Sequence, residues 1–205
     1  KALNRMAKSG KIAKLSKGKY YKPEKTPFGK LQPDQNQVVK DLIKEGDKII
    51  GYLTGLSIYS ELGLTTQVSN TIQIGKNTVR PKLRRGKYTI SFIQQDNTIT
   101  NDNIPLLQIL DSIRYIKKIP DTSTETSVKR LKAIIDELSD DDKQTMVRLA
   151  NKYPPASRAL LGAILEGLGQ LELAEKLRGT LNPITTYQFP DLSEVLPNAK
   201  KWNFK

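Results

Sequence analysis

The sequence contains no cysteine and no histidine, and these two absences exclude several classes of function. Without cysteine the protein has no disulfide, no thiolate zinc site and no cysteine nucleophile. Without histidine it has no imidazole metal ligand and no histidine general base. Aromatic residues make up only 6% of the chain, and no apolar run approaches the roughly 18 residues that indicate a membrane span. We find no signal peptide, so we expect a cytoplasmic protein with no membrane partner.

Acidic residues are scarce in the segment between Gly51 and Gln95, where Glu61 is the only one. A metal-dependent nuclease needs two or three carboxylates around one divalent ion. Residues 140–142 are three consecutive aspartates, which point around a helix and suit its N-terminus. The run GKNTVRPK lacks the second glycine and the GK[ST] ending of a Walker phosphate loop. We therefore predict a protein that is not an enzyme and that has no cofactor and no metal.

Positive charge is in excess, and it is concentrated in the first half of the chain. The whole sequence has 34 basic and 21 acidic residues, a net charge of +13. Residues 1–100 carry 19 basic and 7 acidic residues, a net of +12, whereas residues 101–205 carry 15 and 14, a net of +1. A local excess indicates an anionic partner, either nucleic acid or an acidic membrane surface. A solvated lysine-rich surface is the alternative.

The first 23 residues have the pattern of a helix followed by a basic hairpin. Residues 2–9 are helix-prone, and residues 11–22 read as two short strands around a turn at Gly18. This order is typical of the end of a winged helix-turn-helix, in which a recognition helix enters the major groove and a wing lies on the flanking backbone. The predicted DNA-binding residues are Lys1, Asn4, Arg5, Lys8, Lys11, Lys14, Ser16, Lys17, Lys19, Tyr20 and Lys22.

These residue types match the chemistry of duplex DNA. Lysine and arginine reach phosphates, small polar groups reach base edges, and a tyrosine hydroxyl donates to a phosphate. The alternative is that the tyrosines are core residues and the lysines serve solubility only. Adjacent strand residues face opposite sides, so one of Tyr20 and Tyr21 is expected in the core.

A second basic run occupies residues 76–87 and contains no acidic residue. It forms a possible second basic patch made of Lys76, Arg80, Lys82, Arg84, Arg85 and Lys87. The run either adds phosphate contacts or forms a loop that faces solvent, and the sequence favours neither.

The remaining segments predict an α+β fold with a helical second half. Asp34 and Gln37 resemble a capping box that begins a helix, and residues 49–64 are predicted to form one buried helix that ends at Gly63. Strands are predicted at residues 71–75 and 88–93, with a further short strand around 81–85. Helices are predicted at residues 103–116, 124–138, 139–152, 156–168 and 171–178.

Four regions follow from these elements. Residues 1–28 are predicted to be the winged helix-turn-helix remnant, 29–122 a small mixed domain with a short sheet, and 123–179 a helical C-terminal region. Residues 180–205 contain Tyr187, Phe189, Trp202 and Phe204, so this tail is expected to lie extended against the body.

Three segments resemble the AbiEi-like antitoxin and transcriptional-regulator family of bacteria. They read SKGKYYKPEKTPFGKLQP, IGYLTGLSIYSELGLTTQVSNTIQI and NIPLLQILDSIRYIKKIPD, and they occur in that family's order. The motif G-Y-x-T-G-x-x-x-Y-x-x-L-G-L-T-T-Q at residues 51–67 is the most specific part. The resemblance covers about residues 1–138.

The resemblance implies an N-terminal winged helix-turn-helix that binds the double-stranded promoter DNA of its own operon. It implies a repressor and antitoxin of a type IV toxin–antitoxin system, an abortive-infection-like system whose toxin is a nucleotidyltransferase. The antitoxin would oppose this toxin without necessarily touching it. The recognition helix would be residues 2–9 and the wing residues 11–22, and the first helices of that domain are expected upstream of Lys1. The alternative is a protein-interaction module that binds an acidic partner or toxin and has no enzymatic activity.

Overall fold

A computed structural model describes residues 2–16, 18–23, 25–26, 29–30 and 34–205. The helices are α1 Ala2–Lys8, α2 Gln35–Ile43, α3 Leu56–Glu61, α4 Asn103–Arg114, α5 Thr124–Asp136, α6 Asp140–Ala150, α7 Pro155–Glu166 and α8 Leu171–Arg178, with 3₁₀ turns at Ile116–Lys118 and Ala199–Trp202. The strands are β1 Ala13–Ser16, β2 Lys19–Tyr21, β3 Lys25–Thr26, β4 Gly29–Lys30, β5 Lys44–Glu45, β6 Lys48–Ile49, β7 Tyr52–Thr54, β8 Thr71–Lys76, β9 Leu83–Arg85 and β10 Tyr88–Gln94. The fold is α+β, as the sequence predicts.

A four-stranded sheet lies at the centre of the first half, with the strand order β7-β8-β10-β9. β8 and β10 run parallel, whereas β7 and β9 pair antiparallel with their neighbours. Ile72, Ile74 and Ile90 of the two central strands are fully buried, as expected for strands covered on both faces. The three predicted strands at residues 71–75, 81–85 and 88–93 are confirmed.

The predicted single helix at residues 49–64 is wrong in its first half. Tyr52–Thr54 forms strand β7, and a helix, α3, begins only at Leu56. Tyr52 packs into one hydrophobic cluster and Leu53 into another, so adjacent residues face opposite sides as they do in a strand. Gly55 ends the strand with φ +76°, and a methyl group there would lie 2.0 Å from the Gln73 side chain. Only glycine is accommodated at this turn.

The second half is a helical layer whose predicted elements are confirmed, with ends shifted by a few residues. The hydroxyl of Ser139 accepts a hydrogen bond from the backbone N–H of Asp142 at 3.1 Å and so caps the N-terminus of α6. One hydrophobic cluster extends from Tyr52 to Trp202 and contains buried residues of α4, α5, α6, α7 and α8. This cluster is the main core.

The tail packs against this core through its aromatic residues, as predicted. Tyr187, Phe189 and Trp202 are buried, and Tyr187 pairs with Phe204 in an isolated parallel bridge. The indole N–H of Trp202 donates to Glu166 of α7 at 2.8 Å. The tail is therefore held by both packing and a charged hydrogen-bond acceptor.

Candidate nucleic-acid interface

Helix α1 lies on the surface, and none of its residues is buried. Asn4, Arg5 and Lys8 are exposed. The hydroxyl of Tyr20 on β2 donates to Asn4 Oδ1 at 2.7 Å, so the helix is joined to the hairpin by a side-chain contact. This contact uses the Tyr20 proton that was predicted to bind a phosphate. Within the described part of the chain, the Asn4 side-chain N–H₂ has no hydrogen-bond partner.

Strands β1 and β2 form a hairpin at the position where the wing is predicted. Its strands pair antiparallel, with Ala13 opposite Tyr21 and Lys14 opposite Tyr20, and Gly18 adopts φ +77° in the turn. Lys11, Lys14 and Lys22 are exposed, and Ser16 is the last residue of β1. Two predicted DNA-binding residues, Lys1 and Lys17, lie outside the described residues.

Lys19 of the hairpin forms an ion pair with an acidic residue of α2. Its ammonium group contacts Asp41 of α2, and Asp41 also receives two hydrogen bonds from Arg85 of β9, at 2.5 and 2.9 Å. Burial alone would raise the pKa of Asp41, but the hydrogen bonds from Arg85 and Lys19 outweigh it and lower the pKa to about 2. Asp41 of α2 therefore connects the hairpin to strand β9 at the sheet edge. It also neutralises part of the positive charge that was predicted to face DNA.

The basic side chains of residues 76–87 fall into two groups, two that are buried and four that are exposed. Arg85 is only 5% exposed and donates to the Val38 carbonyl at 2.6 Å, and Lys76 is 8% exposed and donates to the Leu42 carbonyl at 3.1 Å. Both side chains bind the body rather than forming an open patch. Four members of the run are exposed, namely Arg80, Lys82, Arg84 and Lys87.

The turn at Gly86 in this run lies beside the β1–β2 hairpin. A methyl group on Gly86, in the turn between β9 and β10, would lie 3.9 Å from the carbonyl oxygen of Leu15 in β1. Through Asp41 of α2, the ion pairs of Lys19 and Arg85 also connect the hairpin to strand β9. The structure thus brings together two basic segments that are about 70 residues apart in sequence.

A buried polar network at the centre of the molecule was not predicted from the sequence. Asp111 of α4 is fully buried and accepts hydrogen bonds from Tyr52 at 2.7 Å, Thr54 at 2.9 Å and Tyr153 at 2.9 Å. Burial raises the pKa of Asp111, although these hydrogen bonds act to lower it. An aspartate inside the apolar stripe of α4 was the available signal.

Two amides complete this network. The side-chain N–H₂ of Gln95 donates to the hydroxyls of Tyr52 at 2.8 Å and Tyr153 at 2.9 Å. Asn97 donates to Gln95 Oε1 and to the Leu149 carbonyl, both at 3.0 Å. Burial raises the pKa values of both tyrosines. The network joins the sheet to α4 and to the end of α6, so its role is to hold these layers together.

The motif at residues 51–67 supplies part of this network and the close packing around it. A methyl group on Gly51 would lie 3.1 Å from the Gly75 carbonyl oxygen, so β7 and β8 approach closely here. The backbone N–H of Gln67 donates to Thr65 Oγ1 at 3.1 Å, as expected for a polar turn. These contacts give the motif a role in packing and hydrogen bonding.

No three acidic side chains in the described ranges are grouped so that they would hold a metal ion. Across those same ranges, every helix is too short or too polar to cross a membrane.

The chain belongs to a family of unknown function, DUF6088, whose sequence pattern matches residues 1–145. No curated protein matches the chain in sequence. The crystal structure of the RV2827C protein from Mycobacterium tuberculosis is similar, with a TM-score of 0.62 and 13% sequence identity over 92% of this chain and 72% of that chain. At this identity the likeness shows the fold alone. Since the family has no described function, the resemblance to AbiEi-like antitoxins stays a prediction.

Proposed function

We propose that this protein binds double-stranded DNA in the bacterial cytoplasm, represses its own operon, and acts as the antitoxin of a type IV toxin–antitoxin system. The observation that carries the proposal is the surface around α1. A helix with no buried residue is joined to a basic hairpin through Tyr20 and Asn4, and a second basic turn lies beside that hairpin. We interpret α1 as the recognition helix and β1–β2 as the wing.

Among the described residues, nine exposed basic side chains belong to α1, to the hairpin and its flanks, and to the second basic run, namely Arg5, Lys8, Lys11, Lys14, Lys22, Arg80, Lys82, Arg84 and Lys87. If about six to ten phosphates are contacted, affinity should fall by about 10³–10⁵ between roughly 50 and 200 mM salt. Titration of a labelled promoter fragment, followed by fluorescence anisotropy, measures this. Affinity that does not change with salt would contradict the proposal.

Charge reversal on the wing separates phosphate contacts from base contacts. Lys14→Glu and Lys22→Glu should weaken binding to all sequences, and each should reduce the salt slope by at least about 1. Asn4→Ala should change the preference among sequences instead. Lys129→Glu, at an exposed position of α5, is the matched control and should leave binding unchanged.

The antitoxin role rests on the family resemblance and needs its own experiment. The neighbouring gene is co-expressed with this chain, and growth is compared with expression of the neighbour alone. Rescue without co-purification would agree with an antitoxin that does not touch its toxin. Absence of rescue would contradict this role and leave DNA binding to its separate test.

A second candidate function is an interaction module for an acidic protein. The observation that favours it is the apolar surface of α1, where Leu3 is 53% and Met6 41% exposed. Neither side chain has a use against phosphate, whereas both are suited to a protein surface. Leu3→Ser with Met6→Ser should abolish co-purification with such a partner, whereas the control Lys129→Glu should not.

A further inference from the structure

A polar cleft lies beside the β5–β6 hairpin, at the end of β8. Its volume is about 570 Å³, and its charged lining residues are Asp41, Lys44, Glu45, Lys48, Lys76 and Arg80. This volume lies within the range of small-molecule sites, about 300–1,000 Å³. Four cations and two carboxylates give the lining a net positive charge.

Lys76 is the buried cation of the cleft. It is the last residue of β8, it is 8% exposed, and its ammonium group donates to the Leu42 carbonyl at 3.1 Å. This bond uses one of the three N–H donors of the ammonium group. A buried cation is costly unless it is paired, and a neutral carbonyl supplies no opposite charge.

The carboxylates of the lining do not pair with these cations. The carboxylate of Asp41 already forms ion pairs with Arg85 and Lys19. Across the described ranges, none of Lys44, Lys48, Lys76 and Arg80 has a carboxylate oxygen within 4.0 Å. Burial and then the positive charge of Arg80 lower the pKa of Lys76, while Glu45 and Asp41 act in the opposite direction.

The loop that follows Lys76 is fixed in place. The Asn77 side chain donates to the carbonyls of Gln95 at 2.5 Å and Asn97 at 2.8 Å, and Gln94 donates to the Asn77 carbonyl at 2.9 Å. These bonds tie the loop to the end of β10. Because the loop at the bottom of the cleft is already held in place, less conformational entropy is lost when a ligand binds.

We propose that this cleft binds a small phosphate-bearing anion, with the Lys76 ammonium group at its base and Lys44, Lys48 and Arg80 at its rim. A phosphate group carries several acceptor oxygens and a charge near −2, which matches several converging donors. A lysine this deeply buried suits an anion small enough to enter the cleft. The backbone phosphates of a duplex lie on a convex surface and suit the exposed lysines of the wing.

Inorganic phosphate, pyrophosphate and adenosine monophosphate serve as probes, with sodium chloride at equal ionic strength as the control. Calorimetry measures affinity, and thermal unfolding measures stabilisation. Phosphate or pyrophosphate should bind, and preference for adenosine monophosphate would identify a nucleotide as the source of the phosphate group. Lys76→Met, which keeps the apolar stem, should weaken affinity at least about tenfold.

A second variant at exposed positions keeps the proposal testable if Lys76→Met does not fold. Lys48→Ala with Arg80→Ala removes two exposed rim cations and should weaken affinity roughly three- to tenfold, whereas Lys129→Ala should not change it. No stabilisation beyond sodium chloride would overturn the proposal, and so would equal binding by the double variant. These measurements contain no DNA, so they can fail independently of the proposed function. If the small anions do not bind and Lys76→Met weakens binding to a short duplex, the cleft is instead a DNA contact.

Discussion

The N-terminal region and the helical half use their side chains in opposite ways. None of the residues of α1 is buried, whereas eight of the twelve residues of α7 are. The first hundred residues carry a net charge of +12 and the remainder +1. The larger of the two hydrophobic clusters consists mostly of residues of the helical half. Because buried apolar area contributes about 25 cal/mol per Å², we expect this half to supply most of the stability. The comparison indicates that stability and the proposed binding surface are separate, so substitutions should change one without the other.

Trp202→Ala should have the largest effect on stability. The indole is buried against Gly162, where a methyl group would lie 2.1 Å from the ring, and it donates to Glu166. Its loss should reduce the free energy of unfolding by about 3–5 kcal/mol, measured by urea denaturation. DNA affinity of the folded fraction should not change. A weakened affinity would contradict the separation of the two regions.

Glu166→Gln should have the next largest effect, and one that depends on pH. Burial alone would raise the pKa of Glu166, but hydrogen bonds from Asn198, Trp202 and Lys201 outweigh it and lower the pKa from 4.5 to about 2. Because the folded value is the lower one, the stabilisation is present above pH 4.5 and is lost as the pH falls towards 2. The variant should lose about 2 kcal/mol at neutral pH, less at pH 3 and little at about pH 2. An equal loss at both pH values would show that the charge is not responsible.

Asp111→Asn tests the buried network, and its pH dependence has the opposite sign. Burial raises the pKa of Asp111 in the folded protein above 3.8. Between the ordinary pKa of 3.8 and the raised pKa of the folded protein, the folded state therefore binds more protons than the unfolded state. Stability falls as the pH rises through that interval. The variant should lose about 1–3 kcal/mol and should lack this slope. Urea denaturation across the acidic range measures both, and a variant that keeps the slope would assign it to another group.

Sequence patterns predicted the parts of this fold that depend on local spacing. The helices from α4 to α8 follow apolar stripes, and the cap of α6 at Ser139 follows from a serine three residues before an aspartate. Strands β8 and β10 follow from β-branched enrichment. The error at residues 52–54 arose because three residues are too few to distinguish a strand from a helix by periodicity.

The candidate sites depend on contacts between distant residues, which no local pattern contains. Asp41 joins Lys19 to Arg85, and Asp111 joins Tyr52 to Tyr153. No local pattern separates the buried Lys76 from the exposed lysines of the same run, because Lys76 is buried by its contact with Leu42 of α2, which is 34 residues away in sequence. Composition located the positive charge, but only the fold determines how much of it remains available.

Asp41→Asn should have the smallest effect on stability and the most informative effect on binding. The Asp41 side chain is 46% exposed, so its ion pairs should contribute at most about 1 kcal/mol. Its pKa of about 2 lies below the usual 3.8, so this contribution is present above pH 3.8 and lost as the pH falls through 2. The substitution removes a negative charge beside Lys19.

If the wing contacts phosphate, Asp41→Asn should therefore strengthen binding by up to about fivefold, equivalent to ~1 kcal/mol, and should steepen the salt dependence. Glu194→Gln, at an exposed acidic position of the tail, changes the net charge equally and should have little effect. Anisotropy titrations of both variants at two salt concentrations measure the difference. If the two variants bind DNA equally, Lys19 does not face the duplex, and the anionic partner must be sought on another part of the first half.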